Sequence, residues 1–406
     1  MKEKSGVNRR DFLIRSAQGL GTLGMLHAGS ALGDDSAEKD KSHPIIHRTF
    51  GKTGLQIPVV SMGVMNASLP EVVRRSYDLG VRHFDTAWNY QRGLNERMVG
   101  NVIKELDVRK EVIIATKTLV RELRDTQDPG KIRDIFLKRF QESLDRLQMK
   151  YVDILYMHAV QHESQLTNEG IVQAMQEIKG QGRARFIGFS SHTNMPAMIE
   201  LGIEMGIWDA MLVSYNVGMA DWTEMNQALD KAHKKGIGLV AMKTQAGGRW
   251  WRDSKQKDHK LNEELNHSAM LKWVLNQKWF TTAIPGYTTL EQMRENVAVA
   301  SSLDYTEEEK TFLENQEIKL GLGFCRQCGE CRSSCPQKVD VPELMRASMY
   351  AFQYHNSDQT DLTLKEQQQS LESCRECRTC TVQCSHGVAV QSRLAALQQL
   401  NTVYYA

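Results

Sequence analysis

Four side chains suited to chemistry fall at the ends of three short apolar runs. Asp85 lies in "HFDTA" (83–87) with Tyr90 just beyond it, Lys117 closes "VIIATK" (112–117), and His158 closes "VDILYMH" (152–158). A carboxylate, a phenol, an ammonium and an imidazole together suit proton donation to a carbonyl oxygen as hydride arrives at its carbon. A phenol of pKa about 10 is a poor acid at neutral pH. A nearby ammonium lowers that pKa, a carboxylate holds the ammonium, and the imidazole can orient the oxygen. Singly, a strand-end histidine is more often a hydrogen-bonded structural residue and a strand-end lysine merely solvated. Four matching types on neighbouring strands reverse that balance.

A second constellation lies far downstream. All eight cysteines fall between 325 and 384, in two runs of the form C-x2-C-x2-C-x3-C. The first is Cys325, Cys328, Cys331 and Cys335, followed by Pro336. The second is Cys374, Cys377, Cys380 and Cys384, where Ser385 takes the proline's place. Zinc sites typically use two separated pairs, and four disulfides would be expected in a small secreted scaffold. The triplet-plus-one spacing instead resembles cluster-binding ferredoxins, in which the fourth cysteine of each run serves the other [4Fe–4S] cluster. That rule groups Cys325, Cys328, Cys331 and Cys384 around one cluster, and Cys374, Cys377, Cys380 and Cys335 around the other. The 38 residues between the runs include "VPELMRASMYAFQY" and "LTLKEQQQSLES", both helical in character. His386 lies beside an already complete set and is expected to be solvated.

The elements that must position these groups alternate from His47 onward between short apolar strands and amphipathic helices, the pattern of parallel β/α architecture. Besides the three runs above, strands are expected at 59–63, 185–190, 211–216, 238–243 and 281–286. Ile132, Phe136, Phe140, Leu144 and Leu147 share one helical face, as do Ile171, Ala174, Met175 and Ile178. Gly180 and Gly182 end the second of these helices. The fold class is therefore α/β, a (β/α)8 TIM barrel over 47–302 whose catalytic groups sit at the C-terminal strand ends. Residues 303–323 read as a linker, and 324–406 as a small, mostly helical iron–sulfur domain.

A net charge of +2 carries no basic stripe of the kind a nucleic-acid binder shows. Residues 1–33 contain the pair Arg9–Arg10, then Phe12, Leu13 and a mildly apolar stretch. This resembles a twin-arginine signal, read by the twin-arginine export machinery; cleavage is expected near 28–36. The stretch is too short and glycine-rich to span a bilayer, and no other segment makes a stable transmembrane helix. Five of its side chains are positive and two negative, so a chain beginning near Asp34 carries about −1. The expected location is periplasmic or otherwise extracytoplasmic.

Residues 47–300 resemble the aldo/keto reductase family. The landmarks are "HRTFGKTGLQIPVVSMG", "FDTAWNYQRGLNERMVG", "IATK", "YVDILYMH" and "IPGYTTLEQMRENV". The resemblance implies reduction of an aldehyde or ketone by NADPH, with Tyr90 as general acid, Lys117 and Asp85 tuning it, and His158 orienting the substrate. It also implies cofactor contacts, expected at Ser190, Ser191, Asn216, Lys243, Gly247, Gly248, Gly286 and Asn296. Two departures bear on the cofactor. Where the family commonly reads IPKSxxxxRIxEN, Gly286, Tyr287 and Gln292 replace the lysine, serine and arginine, leaving Asn296, with Arg294 two positions out of register. Leu212 stands where a glutamine commonly faces the nicotinamide. A charge-assisted hydrogen bond is worth roughly 1.5–3 kcal/mol, so the preference for NADP(H) over NAD(H) is weakened.

These features predict an exported oxidoreductase interconverting a small carbonyl and its alcohol, with two [4Fe–4S] clusters relaying electrons to or from a redox partner protein. Free NADPH is not available outside the cytoplasm, so an exported reductase must hold its nucleotide tightly or draw electrons elsewhere. One alternative is an ordinary NAD(P)H-dependent reductase whose clusters are structural. Another is a non-catalytic electron-transfer subunit, against which the four catalytic side chains argue. No residue of the sequence by itself specifies a sugar or other polar substrate.

Overall fold

In the computed structural model, the described residues are 44–119, 128–246, 265–315, 323–377 and 379–405, with side chains to 400. The segment expected to be an export signal (1–33), Gly247 and Gly248 lie outside them.

A short antiparallel hairpin, β1 (His47–Thr49) and β2 (Gln56–Pro58), precedes the barrel. The barrel strands are β3 (Met62–Gly63), β4 (His83–Asp85), β5 (Ile113–Thr118), β6 (Val152–Val160), β7 (Ala184–Ser191), β8 (Ala210–Ser214), β9 (Gly238–Met242) and β10 (Thr282–Ala283). They lie in sequence order, every neighbouring pair parallel. Parallel bridges Val60–Ala283 and Gly63–Gly286 bring the ends of the sheet together, so the barrel is nearly closed. Gly63 permits that seam, since a Cβ there would stand 2.7 Å from the Ile284 carbonyl oxygen.

Two-residue periodicity separates the barrel's inner and outer faces. The inner core contains Ile113 and Ala115, Ile154 and Tyr156, Ala210 and Leu212, with Val240 and Ile284. Phe50, from the turn of the hairpin, plugs its base, and a Cβ on Gly238 would stand 2.5 Å from that ring. The alternate residues, such as Ile114, Leu155, Ile187, Met211 and Leu239, join the helices in the outer core. The faces expected on 129–147 and 169–180 are buried there. Gly182, at φ +70°, follows the second helix.

The segment expected as a linker holds a capped helix, Glu307–Glu314, whose Glu309 pairs at 2.8 Å with Lys272 of the barrel helix His267–Leu275. Beyond it, helices Val341–Phe352 and Ser357–Glu366 lie between the cysteine runs, Gln368–Arg375 carries Cys374 near its end, and Val390–Tyr405 follows. Their core joins Val341, Leu344, Leu371, Leu394 and Leu397 to Cys335. Barrel and helical region form one compact unit. Thr193 donates to Glu343 at 3.0 Å, Asn356 to Asn66 at 2.7 Å, and Arg92 pairs with Asp358 at 3.0 Å. Glu343 and Arg346 make a buried ion pair beside this contact.

Candidate active site and cluster sites

Strand parity aims three catalytic candidates into the barrel mouth. Lys117 follows Ala115 on the inner face of β5, His158 follows Tyr156 on β6, and Asp85 ends β4. The strand registers set Asp85 opposite Ala115 and Lys117 opposite Tyr156. Lys117 donates to Asp85, to the Thr86 carbonyl at 2.7 Å and, at 3.4 Å, to the Tyr90 hydroxyl. The rings of Tyr90 and His158 meet edge to face with centroids 5.8 Å apart. Gln91 and Arg92 hold Tyr90 in place through consecutive left-handed backbones (φ 48° and 56°), and the Gln91 amide donates to the carbonyls of Met65 and Ala67. Ala159, also left-handed at φ 56°, sits beside His158 in the irregularity that shifts the β6–β7 register between Met157 and Val160. All four groups line one cavity of about 420 Å³.

Burial governs the electrostatics. It pushes Asp85 up and Lys117 down, and their mutual contact offsets part of each shift. Burial, reinforced by the charge of Asp85, raises Tyr90 well above an ordinary phenol. The sequence predicts the opposite direction from the nearby ammonium. Removal from water outweighs that contact, which is long and shared with Asp85 and Thr86. Tyr90 is thus a neutral hydroxyl, a donor. His158 is driven well below the usual histidine range, first by burial and then by Lys117, and is neutral too. Its Nδ1 has no hydrogen-bond partner among the described residues.

The expected cofactor residues divide. The Ser190 hydroxyl accepts the Ala159 amide at 2.9 Å, and that of Ser191 donates to the Val160 carbonyl at 2.8 Å. Asn216 donates to the Lys243 carbonyl at 3.2 Å and caps Gly218. Asn296 accepts from Gln245 at 2.8 Å and donates to the Gln292 carbonyl at 2.7 Å. These four brace the loops behind the cavity instead of lining it. Lys243 and Gly286 do line it. Tyr287 binds Ser76 at 3.0 Å, Gln292 caps Thr288 at 3.0 Å, and Arg294 is exposed.

The sequence reading missed several cavity residues. Burial pushes the His192 ring below its usual range, and it contacts the Ser214 hydroxyl at 3.3 Å. The Thr244 hydroxyl and His267 Nδ1 are buried beside the cavity without partners among the described residues. Tyr350, Tyr354 and Gln359 reach it from the helical region. Only His192 carries a local signal, its place directly after the β7 end.

The cysteines assemble as two crossed sets. Cys325, Cys328, Cys331 and Cys384 line one cavity, and Cys335, Cys374, Cys377 and Cys380 line another. Burial and the neighbouring sulfurs push Cys325 up to about 12 and Cys331 up to about 11. Four thiols converging on one space fit a thiolate-ligated [4Fe–4S] cluster, whose positive iron favours the deprotonated ligands. His386 is half-buried, 3.3 Å from Glu330, and these two lie with Cys328 within 4.8 Å of one another.

Fold and site define an α/β-barrel oxidoreductase carrying an iron–sulfur domain. Residues 60–315 match the aldo/keto reductase family and residues 324–389 a 4Fe-4S dicluster domain; the chain belongs to the aldo/keto reductase family. It is 27% identical over 316 residues to an L-glyceraldehyde 3-phosphate reductase of Escherichia coli K12, covering 65% of this chain and 90% of that protein. It is 28% identical over 291 residues to an L-galactose dehydrogenase of Arabidopsis thaliana, covering 63% and 88%. An aldo-keto reductase structure from Bacillus halodurans shares the fold, with a TM-score of 0.54 at 22% identity over 68% of this chain and 96% of that one. The protein is accordingly an oxidoreductase of the carbonyl/alcohol type.

Proposed function

We propose that the protein is exported by the twin-arginine route to the periplasm or another extracytoplasmic space, where it interconverts a small aldehyde or ketone with its alcohol. The observation that most supports the catalytic part of this reading is the convergence of Asp85, Tyr90, Lys117 and His158 on one cavity at the strand ends, and the Arg9–Arg10 segment is what supports export. A bound NADP(H) or NAD(H) would supply or accept the hydride at the carbonyl carbon. The Thr244 hydroxyl and His267 Nδ1, without partners among the described residues, suit a polar nucleotide along that wall, with Lys243 and Gly286. Basic residues are missing at 286, 287 and 292, which favours a grip that does not depend on a 2′-phosphate. In the reducing direction neutral Tyr90 gives its proton to the carbonyl oxygen. Lys117 steadies the phenolate left behind, Asp85 holds Lys117, and neutral His158 orients the oxygen.

The clusters would offer one-electron exchange with a redox partner protein. A second reading makes them structural, and one observation favours it: the cysteine runs flank the helices that cover the barrel mouth. An anaerobic optical titration with NADPH and then NADH separates the two. Cluster bleaching as nucleotide is consumed supports the relay, whereas carbonyl reduction with unbleached clusters supports the structural reading. Tyr90→Phe tests the catalytic assignment. Turnover should fall by about 10²–10⁴-fold with melting little changed, since the hydroxyl's hydrogen bond to Lys117 is the long 3.4 Å contact. Undiminished turnover refutes it.

A further inference from the structure

The mouth of the barrel is walled on one side by residues that belong to no barrel element. Helix Val341–Phe352, the short connection after it and the start of Ser357–Glu366 carry Tyr350, Tyr354, His355 and Gln359 to the cavity that holds Tyr90 and His158. Tyr350 and Tyr354 lie with ring centroids 6.0 Å apart. Burial raises both phenols above their ordinary range, and the nearby Tyr90 adds to each shift. The Lys243 ammonium lies 5.0 Å from the first ring and 5.5 Å from the second. The wall is fixed to the barrel at both margins, by Asn356 to Asn66 and by Thr193 to Glu343.

We infer that Tyr350, Tyr354, His355 and Gln359 form the substrate-recognition wall of this cavity and select a neutral polyhydroxylated carbonyl or alcohol, an aldose or its oxidised or reduced partner. This rests on the carbonyl/alcohol reading of the same site. Phenol, imidazole and amide groups can each donate and accept hydrogen bonds, which matches hydroxyls that do both. Flat aromatic faces cover the C–H surface of a sugar, and a few polar groups around an apolar wall fix its orientation. Charge points the same way. Among the described residues no arginine lines the cavity, and the Lys117 ammonium is engaged by Asp85. Lys243 is the remaining cation there among the described residues, and burial with the charge of Arg346 pushes it down to about 7. A phosphorylated or carboxylated substrate would want a guanidinium fork that this wall does not supply.

The test uses cluster-loaded protein, handled anaerobically, with D- and L-galactose, propanal and glyceraldehyde 3-phosphate. The wild type should prefer a hexose to glyceraldehyde 3-phosphate. In Tyr354→Ala and Gln359→Ala the ratio of kcat/KM for hexose over propanal should fall at least about tenfold, mainly through KM, and Tyr354→Phe should fall between. Cluster absorbance equal to wild type certifies the fold of each variant. An unchanged ratio, an equal loss for both substrates, or a preference for the phosphate overturns the wall. Hexose binding measured by calorimetry keeps the two readings apart. Binding weakened by the variants without wild-type turnover refutes the catalytic reading and leaves the wall, whereas no hexose binding refutes the wall even where propanal is reduced.

Discussion

Replacing Lys117 with methionine separates what the ammonium does for folding from what it does for catalysis. Lys117 is 1% exposed and Asp85 2%, and besides its partner at Oδ1 the carboxylate has a second oxygen, Oδ2, with no hydrogen bond among the described residues. Removing the ammonium leaves a buried charge with no donor. Breaking a buried pair in this way costs about 3–5 kcal/mol. Asp85→Asn combined with Lys117→Met removes the stranded charge, so the double variant should regain most of that loss. Catalysis should not recover. Tyr90 loses the cation that contacts its hydroxyl, and a hydrogen bond to a charged group is worth roughly 1.5–3 kcal/mol, or about 10–150-fold in rate. The assay is thermal or denaturant unfolding of anaerobically prepared protein beside steady-state turnover of propanal. A double variant no more stable than Lys117→Met, or a single variant whose kcat stays within about threefold of wild type, refutes the reasoning.

Two other perturbations follow from the same geometry. Because the cysteine sets cross, Cys384→Ser should disturb the same cluster as Cys325→Ser, and Cys335→Ser the same cluster as Cys374→Ser. Electron paramagnetic resonance of the reduced variants checks the pairing, and matching spectra for Cys335→Ser and Cys325→Ser would contradict it. Lys243, lowered to about 7 in the fold against 10.5 for an ordinary lysine, faces Tyr350 and Tyr354 with Arg346, Glu343 and His192 nearby. A depressed lysine opposes folding fully below about pH 7 and ceases to do so as pH approaches the unfolded value. Lys243→Met should therefore raise the melting temperature at pH 6 and gain less at pH 9; a gain independent of pH removes the titration from the account.

What the sequence by itself determined was set by short-range rules. Strand parity and the ends of apolar runs locate Asp85, Tyr90, Lys117 and His158, because a parallel strand forces alternate residues inward and its C-terminal end toward the mouth. Cysteine spacing resembles that of two-cluster ferredoxins, and that resemblance implies crossed ligand sets. The tertiary structure decided the rest. Ser190, Ser191, Asn216 and Asn296 take backbone and side-chain partners that local pattern does not reveal. The direction of the Tyr90 shift depends on how much water the assembled mouth excludes, which no neighbour in sequence fixes. Tyr350 and Tyr354 stand more than 250 residues from Tyr90 in the chain and meet its cavity because the helices between the cysteine runs pack across the barrel. Such contacts arise only when two cores are brought together, since the chain between them carries no local signal of where it will lie.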